Sequence, residues 1–235
     1  MTSSKQATTA ESSPQKAGSN KPNPSPHPPP PPPPPPPSST LITDTFEDGV
    51  LNTTIWHKSV TGTGVDIAER NGRVEIEFAA DGVPGGEYNL LGAHYGTGCR
   101  FPGDFDVDVD YNLLEWPSAS GVLLRLNAWF TKSPQLELAR QSQTWGEGYD
   151  LFWGGNRISS RSTLDTRGSL RIKRVGTRFT AYHKTGKQWL PLGSVVSAGA
   201  PMISIQAVVM PNSFGHKAVR VAFDNFEMRA FRPAC

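Results

Sequence analysis

The strongest constraint on this chain is an alternation of apolar and polar residues with period two, without any stretch of helical period. Val74, Ile76 and Phe78 alternate with Arg73, Glu75 and Glu77, and Phe105, Val107, Val109 and Tyr111 alternate with Asp104, Asp106, Asp108 and Asp110. Leu124, Leu126, Ala128 and Phe130 take one side of a further strand, and Leu123, Arg125, Asn127 and Trp129 take the other. Leu170, Ile172 and Arg174 oppose Arg171 and Lys173. More strands are expected at 135–142, 148–153, 178–183, 188–193, 202–210 and 219–230, separated by glycine-rich turns such as Arg70-Asn71-Gly72 and Thr185-Gly186-Lys187. Many short strands, each with one apolar face, predict an all-β fold, a sandwich of two antiparallel sheets.

The last strand breaks phase. Val219, Val221 and Phe223 share one parity while Phe226 and Met228 have the other, so a β-bulge is expected at Asp224-Asn225.

Residues 1–40 are different in kind. They hold 14 of the 22 prolines, no aromatic residue, and only Met1, Ala7, Ala10 and Ala17 as apolar residues. Such a segment cannot bury enough surface to offset its chain entropy, so it is expected to be a disordered tail ahead of one domain over 41–235. Its unbroken run Pro28–Pro37 would form a polyproline rod of about 31 Å. That rod suits a spacer, or a docking peptide for an aromatic-lined groove.

Lys5, Lys16 and Lys21 against Glu11 account for the net charge of +2, which leaves the domain balanced. A nucleic-acid partner is not expected without a cationic footprint. No apolar run is long enough for a membrane span. The first ten residues lack the apolar core of a secretory leader. Either the protein stays inside, leaves by another route, or begins elsewhere in nature. Cys99 and Cys235 have no metal-ligand spacing. They are either two separate thiols or one bridge, and a bridge closing so long a loop contributes about 4–5 kcal/mol in the chain-entropy account.

Several stretches together resemble the concanavalin A-like lectin/glucanase superfamily, and more narrowly the bacterial laminin-G-like sandwich domains. They are Asp44-Thr45-Phe46-Glu47-Asp48-Gly49 leading to Trp56, Gly103–Val109, Leu170–Arg174 with Phe179–Tyr182 and Trp189, and Val221–Phe226. The resemblance implies a jelly roll over 41–235, paired first and last strands, a concave sheet that holds glycan, and an extracellular or cell-surface setting. Its glycosidases carry a Glu-x-Asp-x-x-Glu strand, which is not found here. The nearest acidic strand, Asp104 to Asp110, has four Asp and no Glu. It is read first as a solvated face neutralised by Arg171, Lys173 and Arg174, then as a cation site or catalytic carboxylates.

No histidine spacing for metal, nucleophile elbow or phosphate loop occurs. The candidate ligand residues are Arg125, Asn127 and Trp129 with Glu137 on the neighbouring strand, and Trp145 in a polar turn. A charged fork, an amide and a flat ring suit a sugar's hydroxyls and its apolar face. The competing expectation is that Trp129 packs under a loop and Arg125 pairs with Glu137. Asp44 and Asp224 are candidate ligands for a structural Ca²⁺, since hard oxygens favour that ion. Three functions follow: a glycan-binding module, a protein-interaction or adhesion domain, or a diverged hydrolase or lyase. The missing acidic motif lowers the third, and glycan binding leads.

Overall fold

A computed structural model describes residues 39–118, 121–132, 134–210 and 217–235. The tail to residue 38, with its proline run, lies outside the described residues. Among the described residues the chain forms fifteen strands and no helix.

One sheet runs β13 (Gln188–Val196), β12 (Arg178–Thr185), β11 (Arg167–Val175), β6 (Phe105–Glu115), β15 (Val219–Phe231), β4 (Arg73–Phe78) and β3 (Val65–Arg70), with β1 (Ser39–Asp44) also on β15. The other runs β10 (Asn156–Ser162), β9 (Gly146–Trp153), β8 (Leu136–Gln143), β7 (Val122–Trp129), β14 (Met202–Val209), β5 (Leu91–Thr97) and β2 (Trp56–Thr61). Each strand pairing between them is antiparallel. β1 begins at Ser39, two residues ahead of the boundary drawn from composition.

The sheets stack because each has one apolar face. Val107, Val109, Ile172, Val221 and Phe223 of the first meet Leu124, Leu126, Leu138, Leu151 and Ile205 of the second in one buried core. Each such side chain contributes about 1.5–3 kcal/mol on burial. An aromatic chain runs through one end of the core: Phe105 to Phe179 at 5.9 Å, Phe179 to Phe130 at 5.4 Å, and Phe130 to Trp153 at 5.7 Å between ring centroids.

The phase change in the last strand is present. The β15–β6 register shifts between Asp224 and Glu227, and Asn225 takes φ 50°. Phe223, Phe226 and Met228 all remain buried. β15 pairs with β4 through residues 219–223 and with β1 through 226–231, so the bulge sits where the strand changes neighbours.

The acidic strand is a paired surface. Arg171 meets Asp106 at 3.1 Å and Asp108 at 3.0 Å, and Lys173 stands 3.8 Å from Asp106. Arg174 is a correction to the expected trio. Its parity turns it inward, where it is buried and donates to the carbonyls of Phe101, Gly199 and Gly176.

Cys99 and Cys235 form a disulfide. The C-terminus is also held by paired backbone hydrogen bonds between Arg100 and Ala234.

Candidate functional site

The outer face of the seven-stranded sheet is built by strand parity. Core residues Leu124, Leu126 and Ala128 on β7 put Arg125, Asn127 and Trp129 on the opposite side. β8 packs Leu136 and Leu138 inward and presents Glu137, Ala139 and Gln141 outward. β9 buries Tyr149 and Leu151 in the core, which places Asp150 and Phe152 on the outer face. On β14, Ile203, Ile205 and Ala207 face the core, leaving Ser204 and Gln206 outside.

Registers then bring these side chains together. One rung carries Phe152, Glu137, Asn127 and Ser204. The next carries Asp150, Ala139, Arg125, Gln206 and His94. Arg125 reaches diagonally to Glu137 at 2.7 Å, the ion pair anticipated as the competing expectation. Asn127 is fully buried and donates to Gln206 Oε1 at 3.0 Å, and Trp129 Nε1 donates to Ser204 Oγ at 2.7 Å. Burial holds the pKa of His94 below its ordinary value, so its ring is an uncharged polar contact at neutral pH. The structure therefore gathers Arg125, Asn127, Trp129 and Glu137 on one face, locked by partners.

Trp145 lies in the turn before β9 and is 63% exposed. Arg157, which pairs with Phe152 at the far end of β9, has its guanidinium 5.8 Å from the Trp145 ring centre. The two side chains therefore run toward each other along the outer face, over a strand that begins Gly146-Glu147-Gly148. A Cβ at Gly148 would stand 2.5 Å from the carbonyl oxygen of Arg161, so the backbone of β10 crowds this end of the face. Asp150 sits under this region, fully buried, with Arg157 Nη1 at 3.8 Å. Among the described residues neither Asp150 oxygen has a hydrogen-bond partner, nor do Gln141 Oε1, Asn127 Oδ1 and Arg125 Nε.

Sequence reasoning missed Asp150, Gln206, His94 and Arg157 as members of this face. The parity signal for Asp150 and Gln206 was present, because strands at 148–153 and 202–210 were expected. His94 and Arg157 lie on β5 and β10, for which the alternation gave no sign.

β1 pairs Asp44 with Phe226, two residues along β15 from Asp224. Asp44 accepts from the Phe46 backbone N–H at 2.9 Å and from Trp56 Nε1 at 2.8 Å. Asp224 instead lines a hollow of about 520 Å³ on the other sheet with Asp110, Asp165, Arg73, Arg167 and Lys184. Burial, opposed by the Asn225 N–H and reinforced by the charge of Asp110, raises its pKa. Among the described residues no group of three or more His, Cys, Asp or Glu is placed to hold a metal ion.

No protein-family profile matches the chain, and no curated sequence matches it. Solved structures do. A prokaryotic beta-1,3-1,4-glucanase (lichenase) from a mouse hindgut metagenome superposes with a TM-score of 0.58 at 10% identity, over 82% of this chain and 100% of that one. The Bacillus licheniformis beta-glucanase gives 0.54 at 9%, over 82% and 98%. A functionally unknown Saccharomyces cerevisiae protein gives 0.55 at 11%, over 74% and 96%. The chain thus shares the two-sheet antiparallel sandwich fold of these proteins.

Proposed function

We propose that this chain is a non-catalytic, lectin-like module of laminin-G-like character that binds glycan on the outer face of its seven-stranded sheet. The observation that carries the reading is the composition of that face. An exposed Trp145 ring lies against Arg157, whose guanidinium reaches toward Asp150 on a face that also carries Arg125, Asn127, Glu137, Gln141 and Gln206. Flat rings stack on the apolar faces of pyranoses, and planar amides and guanidinium forks match paired hydroxyls. The likeness to glucanases supports it.

The same face supports binding over turnover. Canonical glycoside hydrolysis needs two carboxyl groups flanking the bond, one of them a proton donor. Along β8 the three same-face positions are Glu137, Ala139 and Gln141, one carboxylate, a methyl and an amide that donates no acidic proton, and the second carboxyl group of the face, Asp150, is fully buried beneath Arg157. Glu137 itself is paired with Arg125. A protein-interaction or adhesion role remains the alternative, since an exposed Trp beside an Arg also suits a protein interface.

A glycan array probed with the full chain tests the reading. Retention of a defined glycan, weakened roughly tenfold by Trp145→Ala, is the expected result, in line with about 1.4 kcal/mol for a lost stacking platform. No new reducing ends should appear. Release of reducing ends abolished by Glu137→Gln would instead make the chain a hydrolase. Retention of no glycan would favour the protein-interaction role.

A further inference from the structure

Orphaned polar atoms say what a missing ligand must supply. On the outer face of the seven-stranded sheet the buried unpartnered atoms are Asp150 Oδ1 and Oδ2, Gln141 Oε1, Asn127 Oδ1 and Arg125 Nε. Four of the five accept hydrogen bonds and one donates. Asp150 is fully buried and Gln141 is 2% exposed. Leaving a buried acceptor unmatched costs about 1–3 kcal/mol, and more for a charged one. The side chain between them in register is the small Ala139, opposite Asp150, with Gly148 opposite Gln141. The two acceptors are therefore diagonal neighbours on one face, flanked by the Ala139 methyl and by the β10 backbone at Arg161.

Among the described residues the one ion pair made by Asp150 is loose. Arg157 Nη1 stands 3.8 Å from Asp150 Oδ2, beyond hydrogen-bonding range, while the rest of that side chain is half exposed against Trp145. Arg157 comes from the edge strand β10 and interrupts no core packing. A neutral sugar hydroxyl would bring an acceptor with each donor and leave the Asp150 charge uncompensated. An ammonium brings three donors, no acceptor, and the opposite charge.

We propose that the buried carboxylate of Asp150, reached by displacing Arg157, selects a protonated amine carried on a sugar, that is, a hexosamine whose nitrogen is not acylated. The ammonium displaces Arg157, donates to Asp150 and Gln141, and leaves the sugar ring against Trp145. This inference rests on the glycan-binding reading and specifies its substrate class.

Isothermal titration of the full chain against three equal-length β-1,4 oligosaccharides tests it: glucosamine, N-acetylglucosamine and glucose. The glucosamine oligomer should bind about tenfold or more tighter than the other two, as befits one charge-assisted hydrogen bond. Asp150→Asn should erase that preference, and Arg157→Ala should strengthen glucosamine binding severalfold by removing the competing cation. If the glucose or N-acetylated oligomer binds as tightly, the amine inference falls while glycan binding stands. If an oligolysine titrated in parallel binds and none of the three saccharides does, both the amino-sugar inference and the glycan reading fall. Should Asp150→Asn fail to fold by circular dichroism, Arg157→Ala decides alone: weaker or unchanged glucosamine binding overturns the proposal.

Discussion

At the scale of single residues, Glu69 on β3 shows the cost of a buried charge. It is 9% exposed, and burial together with the nearby charges of Asp44 and Asp48 raises its pKa from 4.5 to about 7. A raised carboxyl pKa stabilises the folded state fully below the ordinary value, and that contribution is lost as pH rises through about 7. Glu69→Gln should therefore raise the melting temperature at pH 8 and change it little at pH 4. Equal shifts at both values would show that the charge is not the cause. His183 has the opposite sense. Its ring is buried, stacked on Tyr149 at 4.6 Å, and its pKa is lowered by burial and then by the charge of Arg161. Stability from this group is present above its ordinary pKa and lost as pH falls. His183→Phe should flatten the acid limb of a melting-temperature profile between pH 7 and 5, and an unchanged limb would contradict this. Neither environment was legible in sequence, because burial of Glu69 and His183 arises only when the sheets close over them.

At the scale of elements, the bulge in β15 is the clearest case of sequence dictating structure. A parity slip among five apolar residues demands an extra residue, and Asn225 supplies it in the left-handed region. Asn225 also donates through its side chain to Asp110 at 3.1 Å. Asn225→Ala and Asn225→Gly lose that bond equally, so their difference isolates backbone strain. The alanine variant should be less stable than the glycine one by about 1 kcal/mol in urea unfolding. No difference would mean the bulge rearranges. Strands with a clean apolar parity, such as β4, β6, β7 and β11, were legible for the same reason. β5 and β10 were not. Gly92 and Gly96 thin the pattern of β5, and β10, exposed along most of its length, has no apolar face to display. The half of the site that rides on those two strands was hidden with them.

At the scale of the molecule, three features come together: a sandwich closed by its first and last strands, a disulfide at the end of the chain, and a polar outer face. The Cys99–Cys235 bridge spans 136 residues of sequence. Constraint of the unfolded chain over that length contributes about 4–5 kcal/mol. Reduction, or Cys99→Ser with Cys235→Ser, should lower the denaturation midpoint with little change in fold, given the Arg100–Ala234 backbone pairing that remains. An unchanged midpoint would show that this pairing alone holds the end. The fold class could be read from alternation, but the function could not, because the same sandwich hosts binding and catalysis alike. The central claim is that ligand occupies the outer face of the seven-stranded sheet. The indole N–H signals of the six tryptophans report on it directly by NMR. Trp145 and Trp129 stand on or beside that face, Trp56 is buried against Asp44, and Trp189 stacks with Arg171 on the other sheet. Titration with the glycan retained on the array should move the Trp145 and Trp129 signals and leave Trp189 in place. Movement of Trp189 alone would put the ligand on the opposite sheet and contradict the account.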